Sequence, residues 1–330
     1  MQYKNNKGYT GWAQLAFLFL FIAIGIVLWQ FTAFFLENRL LGTNGGSYID
    51  RSIAMSQALM RPENATYAQL FQIGGTFFLL FFPSLLFILV CYKKMLWGGF
   101  SKHFSFLQVV IAFFIFITAN IFAIPFEKIS KIILAHFPYW DSLAKQAEHL
   151  YNEQVTTLSI LNTWPQFLLA IFIMAFLPAL FEEFFFRGVI QNLLVRWLKK
   201  PVVAIVIASL LFSLIHASYY LFISRFILGY VLGLLFYQSK NIWVNISAHF
   251  FNNLIVVTQL FILNISHTAA KPDLDATNPS IPAWSLIISL PVLIGLFIQF
   301  KKASQLKRQN IEEEENKEIN LANTTHPAWH

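Results

Sequence analysis

Long apolar runs dominate this sequence and limit its fold more than any other feature. Crossing about 30 Å of hydrocarbon takes roughly 20 mainly apolar residues in a helix. The candidate spans are residues 11–36, 70–92, 104–126, 165–194, 202–221, 226–238, 242–263 and 284–300. The pattern predicts an all-α polytopic transmembrane helix bundle of about eight spans, occupying residues 1–300.

The composition agrees with a protein dissolved in lipid. Hydrophobic residues make up 57% of the chain and charged residues 12%, whereas a soluble domain has about 25% charged residues. A water-soluble enzyme is therefore excluded. The net charge of +7 comes from short basic clusters beside apolar runs, so we expect the bilayer and not nucleic acid as a partner. The only cysteine, Cys91, excludes an internal disulfide.

Basic residues in the loops predict the orientation, because cytoplasmic flanks of spans carry an excess of Lys and Arg. With the N-terminus inside, the cytoplasmic flanks hold Lys4, Lys7, Lys93, Lys94, Lys102, Arg196, Lys199, Lys200, Lys240, Lys301, Lys302, Lys307 and Arg308. The opposite flanks are longer and poorer in such residues. We therefore expect both termini in the cytoplasm. Residues 301–330 combine a basic patch with an acidic run, which predicts a disordered cytoplasmic tail.

Ionisable and amide side chains inside the spans concentrate in three places, on the fourth, fifth and seventh spans. They are Glu182, Glu183, Arg187, His216, His249 and Asn253. Each charge costs about 2.5–3.5 kcal/mol on insertion scales, so such groups face the protein interior or water. If helical, Glu183 and His216 both lie about 24 Å from the turn that joins their spans. His249 lies only about 13 Å from Lys240, which fits a common level less well.

The spacing separates the two adjacent carboxylates. Glu183 and Arg187 stand at positions i and i+4 of a helix and are expected to form an ion pair. Glu182 is turned by about 100° around the helix and must find another partner. We therefore expect Glu183 to be structural and Glu182 to be reactive.

Two chemical interpretations remain open for these groups. Glu182, His216 and His249 are the ligand types of a catalytic zinc site with one position left for water. Without metal, Glu182 and His216 would deprotonate a water, while His249 and Asn253 would donate hydrogen bonds to an oxyanion. Either arrangement would hydrolyse a peptide bond. The soluble zinc-protease motif HExxH is absent from the sequence.

Each group also has a structural interpretation, either as a neutralised ion cluster or as hydrogen bonds between helices. The occurrence of all three groups in one chain favours a catalytic role over a purely structural one. Elsewhere, Gly229 and Gly233 predict close helix packing. Arg225 lies at the predicted outer edge and is expected to reach the lipid headgroups.

Three motifs resemble those of the CPBP family of intramembrane proteases. They are EExxxR (Glu182, Glu183, Arg187), FxxxH (Phe212, His216) and HxxxN (His249, Asn253), in that order on successive apolar runs. The resemblance covers a core of about 165–263. That family includes the Ras-converting type of CAAX prenyl endopeptidase and bacterial relatives linked to bacteriocin maturation or self-immunity.

The resemblance implies a role for each position. Glu182 would activate water with support from Glu183 and Arg187, and His216 would join Glu182 at the water or at a zinc ion. His249 and Asn253 would bind the oxyanion or complete the site.

The resulting prediction is an intramembrane endopeptidase in a cell membrane, with a bacterial inner membrane as the expected location. Its substrate would be a membrane-associated peptide or protein, and prenylation of that substrate is not predicted. A proton-coupled transporter with a relay through Glu182, His216 and His249 is the first alternative. A non-catalytic scaffold or immunity protein is the second. Asn253 favours hydrolysis, because a proton relay has no use for an amide that does not titrate.

Overall fold

A computed structural model of the chain describes residues 3–43, 47–158, 161, 163–266 and 281–325. Helices account for 86% of the structure, and the described residues form no strand. In chain order the helices are α1 (Gly11–Leu41), α2 (Tyr48–Leu59), α3 (Ala65–Cys91), α4 (Phe106–Leu134), α5 (Pro138–Leu158), α6 (Trp164–Leu198), α7 (Pro201–Ile215), α8 (Phe222–Ser239), α9 (Ile242–Ser266) and α10 (Ser285–Thr325). The prediction of an all-α bundle is confirmed.

Seven of the described helices are long and apolar enough to cross a membrane: α1, α3, α4, α6, α8, α9 and α10. Helix α7 is apolar but has only 15 residues, which is about 22 Å. Together they agree with the predicted number of about eight spans. The fifth is shorter than predicted, because the chain leaves the helix at His216 and Ala217 adopts a left-handed φ of 47°.

Successive turns alternate between the two ends of the bundle. The N-terminal segment lies beside the end of α3, where Asn5 Nδ2 donates a hydrogen bond to the Cys91 carbonyl over 2.9 Å and Lys7 bonds the carbonyl of Val90. The α6–α7 and α8–α9 turns lie at the same end of the bundle, which is called the basic end. The opposite end, the loop end, holds α2, α5 and the α7–α8 turn. There Tyr220 donates a hydrogen bond to Asp141 of α5 over 2.7 Å.

Two packed clusters hold the helices in place. Phenylalanine rings fill the first, between α1, α3 and α6, and Phe87, Phe184 and Phe186 are almost fully buried there. Small residues mark the second, between α4, α8, α9 and α10, where Ala112 and Ala119 have no exposed surface. In lipid, close packing of this kind is a main source of attraction between helices. The clusters fix α6, α8 and α9, which carry most of the predicted site.

The tail differs from the prediction of disorder, since α10 continues as a helix to Thr325. Ile311 is buried, and the carboxylate of Glu315 accepts hydrogen bonds from Arg196 and Lys240, both at 3.0 Å. The acidic tail is therefore ordered by basic residues of distant turns. Its own composition could not reveal these partners. Residues 326–330 of the predicted tail lie outside the described residues.

Candidate active site

The fourth, fifth and seventh predicted spans meet at Glu182. Its Oε2 atom lies 3.7 Å from Nε2 of His216 and 3.9 Å from Nε2 of His249. Both separations exceed those of a direct hydrogen bond. The same oxygen is buried and has no hydrogen-bond partner within the part of the chain that the structure describes. A buried acceptor thus faces two imidazole rings without a donor between them.

Acceptor groups fix the orientation of both rings. Nδ1 of His216 lies 2.7 Å from the Phe212 carbonyl, and Nδ1 of His249 lies 2.9 Å from Oε1 of Glu183. Because carbonyl and carboxylate oxygens only accept, we assign the proton of each neutral ring to Nδ1. Each Nε2 then presents a lone pair towards Glu182. Three acceptors converge, so the site requires a group that brings protons or positive charge, such as a water molecule.

The neighbouring carboxylate, Glu183, is saturated with partners. Oε1 accepts a hydrogen bond from Nη1 of Arg187 at 2.9 Å in addition to the His249 contact, and Oε2 accepts one from Asn245 at 3.1 Å. Glu183 and Arg187 are both buried, with 0% and 1% exposure. A buried ion pair is tolerated only when its remaining hydrogen-bonding capacity is used in this way. Glu183 therefore fixes the orientation of the His249 ring from the side opposite the cavity.

Two glycines of α8 take part in this arrangement. The Gly229 carbonyl accepts a hydrogen bond from Arg187 at 3.1 Å, and the Gly233 carbonyl accepts one from Gln191 at 2.9 Å. A Cβ atom at Gly233 would lie 2.6 Å from a methyl group of Ile205. The glycines thus allow the close packing predicted from their spacing, and they also expose carbonyl groups to α6.

A cavity of about 530 Å³ lies on the Glu182 side of the site. Glu182, His216, His249 and Asn253 all line it, whereas Glu183 and Arg187 lie behind its wall. Side chains of α2, α3 and α5 complete the lining. The cavity therefore extends towards the loop end of the bundle.

His249 reaches the level of Glu182 although it lies close to the α8–α9 turn in sequence. That turn must lie about 11 Å deeper in the bundle than the α6–α7 turn, given the rise of a helix. The connection between α3 and α4 encloses it, and the Ile242 amide donates a hydrogen bond to the Gly99 carbonyl over 2.9 Å. The prediction from loop charge placed both turns at the membrane surface and therefore at the same depth. The predicted mismatch between His249 and Glu182 arose from that assumption.

The sequence prediction gave no role in the site to two asparagines that belong to it. Asn245 precedes His249 by the same four residues that separate His249 from Asn253, so its place on the shared face was readable from spacing. Asn252 lines the cavity, accepts a hydrogen bond from Asn120 of α4 at 2.9 Å and donates one to Oδ1 of Asn253 at 3.3 Å. No sequence signal connected Asn120 to this site.

Arg225 does not take the position that its sequence suggested. Instead of pointing to headgroups it lines the cavity, donates a hydrogen bond from Nη1 to the His216 carbonyl at 3.1 Å and lies 5.4 Å from the Tyr151 ring centre. The reason is that the end of α7 and the ring on α5 offer partners next to the first turn of α8.

The predicted zinc ligands are of the right chemical kinds but do not form a closed set. Glu182, His216 and His249 supply one carboxylate and two imidazoles, and each ring is oriented through its other nitrogen, as is usual at zinc sites. Among the described residues, however, no group of three His, Cys, Asp or Glu side chains is arranged to hold a metal ion. Zinc binding by these three residues stays a prediction.

Comparison with known proteins supports the interpretation of the motifs. Residues 164–255 match the family model described as type II CAAX prenyl endopeptidase, Rce1-like. No curated protein and no solved structure matches the chain. The matched segment contains all three motifs and leaves α1 to α5 and α10 outside. The predicted resemblance to the CPBP family is confirmed: within this membrane protein, residues 164–255 are similar to the Rce1-like type II CAAX prenyl endopeptidases.

Proposed function

We propose that the protein is an intramembrane endopeptidase that hydrolyses a peptide bond of a membrane-associated peptide or protein. The observation that carries this proposal is the convergence of Glu182 with Nε2 of His216 and of His249 in one cavity. The Rce1-like domain independently supports a protease of the CAAX type.

Glu182 is the proposed general base. Its buried Oε2 lacks a donor among the described residues and is available to accept a proton from a water molecule. The resulting hydroxide attacks the carbonyl carbon of the peptide, and Glu182 then passes the proton to the leaving nitrogen. General acid–base catalysis of this kind contributes about 10²–10⁴-fold to the rate.

His249 and Asn253 are the proposed partners of the oxyanion. The hydrogen bond from Nδ1 of His249 to Glu183 fixes the orientation of the ring, so that Nε2 points into the cavity and acts as a donor to the oxyanion when it carries a proton. Oδ1 of Asn253 accepts from Asn252, which leaves the amide nitrogen as the donor that faces the cavity. Fixed donors aimed at developing negative charge are the largest contribution in many acyl-transfer sites.

We further propose that both termini lie in the cytoplasm of a cell with the protein in its cytoplasmic membrane, as in a bacterial inner membrane. The density of Lys and Arg at the basic end supports this orientation. The cavity would then be reached from the outer side, past α2 and α5. Cysteine-reactive labels applied outside intact cells should modify Ser142→Cys on α5 and leave Lys4→Cys unmodified.

The proposal is tested by peptide cleavage with the full chain in lipid nanodiscs. A panel of lipidated and unlipidated peptides is incubated with wild type, with Glu182→Gln and with Glu63→Gln, which replaces an exposed carboxylate at the loop end. We expect cleavage by wild type and by Glu63→Gln, and a loss of about 10²-fold or more in Glu182→Gln.

Each arm of this experiment also separates the alternatives. Equal cleavage by wild type and Glu182→Gln would overturn the assignment of the base. Loss of cleavage after chelation, restored by zinc, would establish the metal prediction for Glu182, His216 and His249. Proton uptake coupled to solute without cleavage would establish the transporter instead, and unchanged function without Glu182 would establish a scaffold.

A further inference from the structure

Arg225 is the one Lys or Arg side chain among the described residues that line the cavity. It lies in the first turn of α8 and is part-buried. A positive charge near a helix N-terminus opposes the helix dipole, so stabilisation of α8 does not explain its position. Its presence beside the reactive groups calls for another explanation.

The guanidinium group has spare donors. It has five N–H groups, of which one on Nη1 donates to the His216 carbonyl, while the Tyr151 ring lies against the group at 5.4 Å from the ring centre. Four other arginines, Arg51, Arg187, Arg196 and Arg308, each pair with a glutamate. Arg225 forms no ion pair with any residue that the structure describes.

The surroundings of Arg225 favour an anion as its partner. The cavity lining is mainly apolar, and a guanidinium there is stabilised most by a carboxylate, which its planar fork matches with two parallel hydrogen bonds. Glu182 faces the imidazole rings instead. The contacts with His216 and Tyr151 hold the fork in place, so little side-chain entropy remains to be lost on binding.

We propose that Arg225 is a specificity-determining residue that binds a carboxylate of the peptide substrate on one side of the scissile bond. The carboxylate is either the C-terminus or an Asp or Glu side chain of the peptide. This inference rests on the proposed peptidase function. Because Arg225 also bonds the His216 carbonyl, a variant that merely displaces His216 must be distinguished from one that loses the carboxylate site.

Binding measured without turnover makes that distinction. The probe is fluorescent N-decanoyl-trialanine as free acid, as C-terminal amide, and as the amide with glutamate in place of the last alanine. Affinities are measured for Glu182→Gln in zwitterionic nanodiscs, alone and combined with Arg225→Gln, Arg225→Lys or Arg61→Gln. Arg61 is exposed at the loop end and does not line the cavity, so it is the matched control.

We expect the free acid to bind on the order of 10- to 100-fold more tightly than the neutral amide, as for hydrogen bonds to a charged group. Arg225→Gln should abolish this preference while leaving the affinity for the neutral amide unchanged, Arg225→Lys should retain part of it, and Arg61→Gln should retain it fully. Tight binding of the glutamate-containing amide would assign the site to acidic side chains as well as to the C-terminus.

Three results would overturn the proposal: no preference for the acid before Arg225 is replaced, an equal loss of affinity for acid and amide in Arg225→Gln, or a preference that disappears in nanodiscs with anionic lipid. The second result would make Arg225 a positioning residue for His216. The third would identify a lipid headgroup as the anion. None of these readouts requires hydrolysis, so failure of the peptidase assignment and failure of this inference are separable.

Discussion

Two polar clusters, back to back across α6, differ in how far their hydrogen bonds are satisfied. The rear cluster comprises Glu183, Arg187 and Asn245, with Nδ1 of His249, and both carboxylate oxygens have donors. The front cluster comprises Glu182, His216 and Asn253, with Nε2 of His249. There a buried carboxylate oxygen lacks a donor among the described residues. His249 belongs to both clusters.

The difference shows how adjacent residues of one helix acquire different surroundings. A buried polar group that is fully paired stabilises one arrangement of helices, whereas an unpaired one remains available for water or substrate. Glu182 and Glu183 have the same side chain and neighbouring positions. Their partners separate them: Glu183 has Arg187 of its own helix and two side chains of α9, whereas Glu182 faces one ring from α7 and one from α9. The following predictions test that separation.

Replacing Glu183 should affect stability most. Glu183→Gln leaves Arg187 buried without its counter-charge, so we expect the free energy of unfolding to fall by about 3–5 kcal/mol. Glu182→Gln removes no hydrogen bond that the structure describes and should change this free energy by about 0.5 kcal/mol or less. Reversible unfolding in mixed detergent micelles measures both, and equal losses would show that the two clusters do not differ.

Asn253 should affect catalysis without affecting substrate binding. Asn253→Leu removes a proposed oxyanion donor, and we expect kcat to fall by about 10²–10³-fold with KM unchanged. Thr258→Val on the same helix removes only a hydroxyl that bonds the Leu254 carbonyl and should leave both constants near wild type. A rise in KM with an unchanged kcat would place Asn253 in substrate binding instead.

The tail provides a third polar cluster, which lies outside the bundle core and is accessible to dissolved ions. Glu315→Gln weakens the contacts with Arg196 and Lys240, and we expect a loss of about 1 kcal/mol at low ionic strength. Because salt screens partly exposed charges, the loss should shrink at 1 M salt. Glu313 is exposed on the same segment, and Glu313→Gln should have no such salt-dependent effect.

The smallest effect is expected at the contact of α5 with the α7–α8 turn. Bonding to Lys145 and Tyr220 holds the pKa of Asp141 below its usual range, while burial and Asp141 raise the pKa of Tyr220 to about 12. The contribution of Asp141 to the free energy of unfolding is present above the pKa of the unfolded chain. It is lost as pH falls through the lowered pKa of the folded protein. The contribution of Tyr220 to the free energy of unfolding is present below its usual pKa of about 10. It is lost as pH rises through the raised pKa of about 12.

Tyr220→Phe should therefore lower the melting temperature between pH 5 and 9, and its deficit should shrink at either extreme. Differential scanning fluorimetry from about pH 2 to about pH 12 measures the effect, because both contributions are lost only outside the range from pH 5 to 9. Tyr219→Phe, at the neighbouring position, is the control. A deficit that does not depend on pH would show that the hydroxyl of Tyr220 acts through packing alone.

The sequence predicted the fold and the main residues around the cavity for a physical reason. Apolar length identifies spans in lipid, and ionisable side chains within spans are costly enough to mark an enclosed site. Position on the helix also separated Glu182 from Glu183. These signals are local, and they can be read from a single chain.

Contacts between distant segments could not be predicted in this way. The order of the tail depends on Arg196 and Lys240, and the orientation of Asn253 depends on Asn120 of α4 through Asn252. Arg225 was placed at the headgroups because its partners on α5 and α7 are close only in space. In each case the missing information was the identity of the neighbour.

The short α7 has a consequence for the surrounding lipid. With 15 residues it covers about 22 Å, compared with about 30 Å of hydrocarbon. Such hydrophobic mismatch is relieved by local thinning of the bilayer or by interfacial groups that follow the helix end inwards. His216 stands at that end, so water and headgroups would be drawn towards it, and a peptide bond would have a shorter distance to travel out of the hydrocarbon.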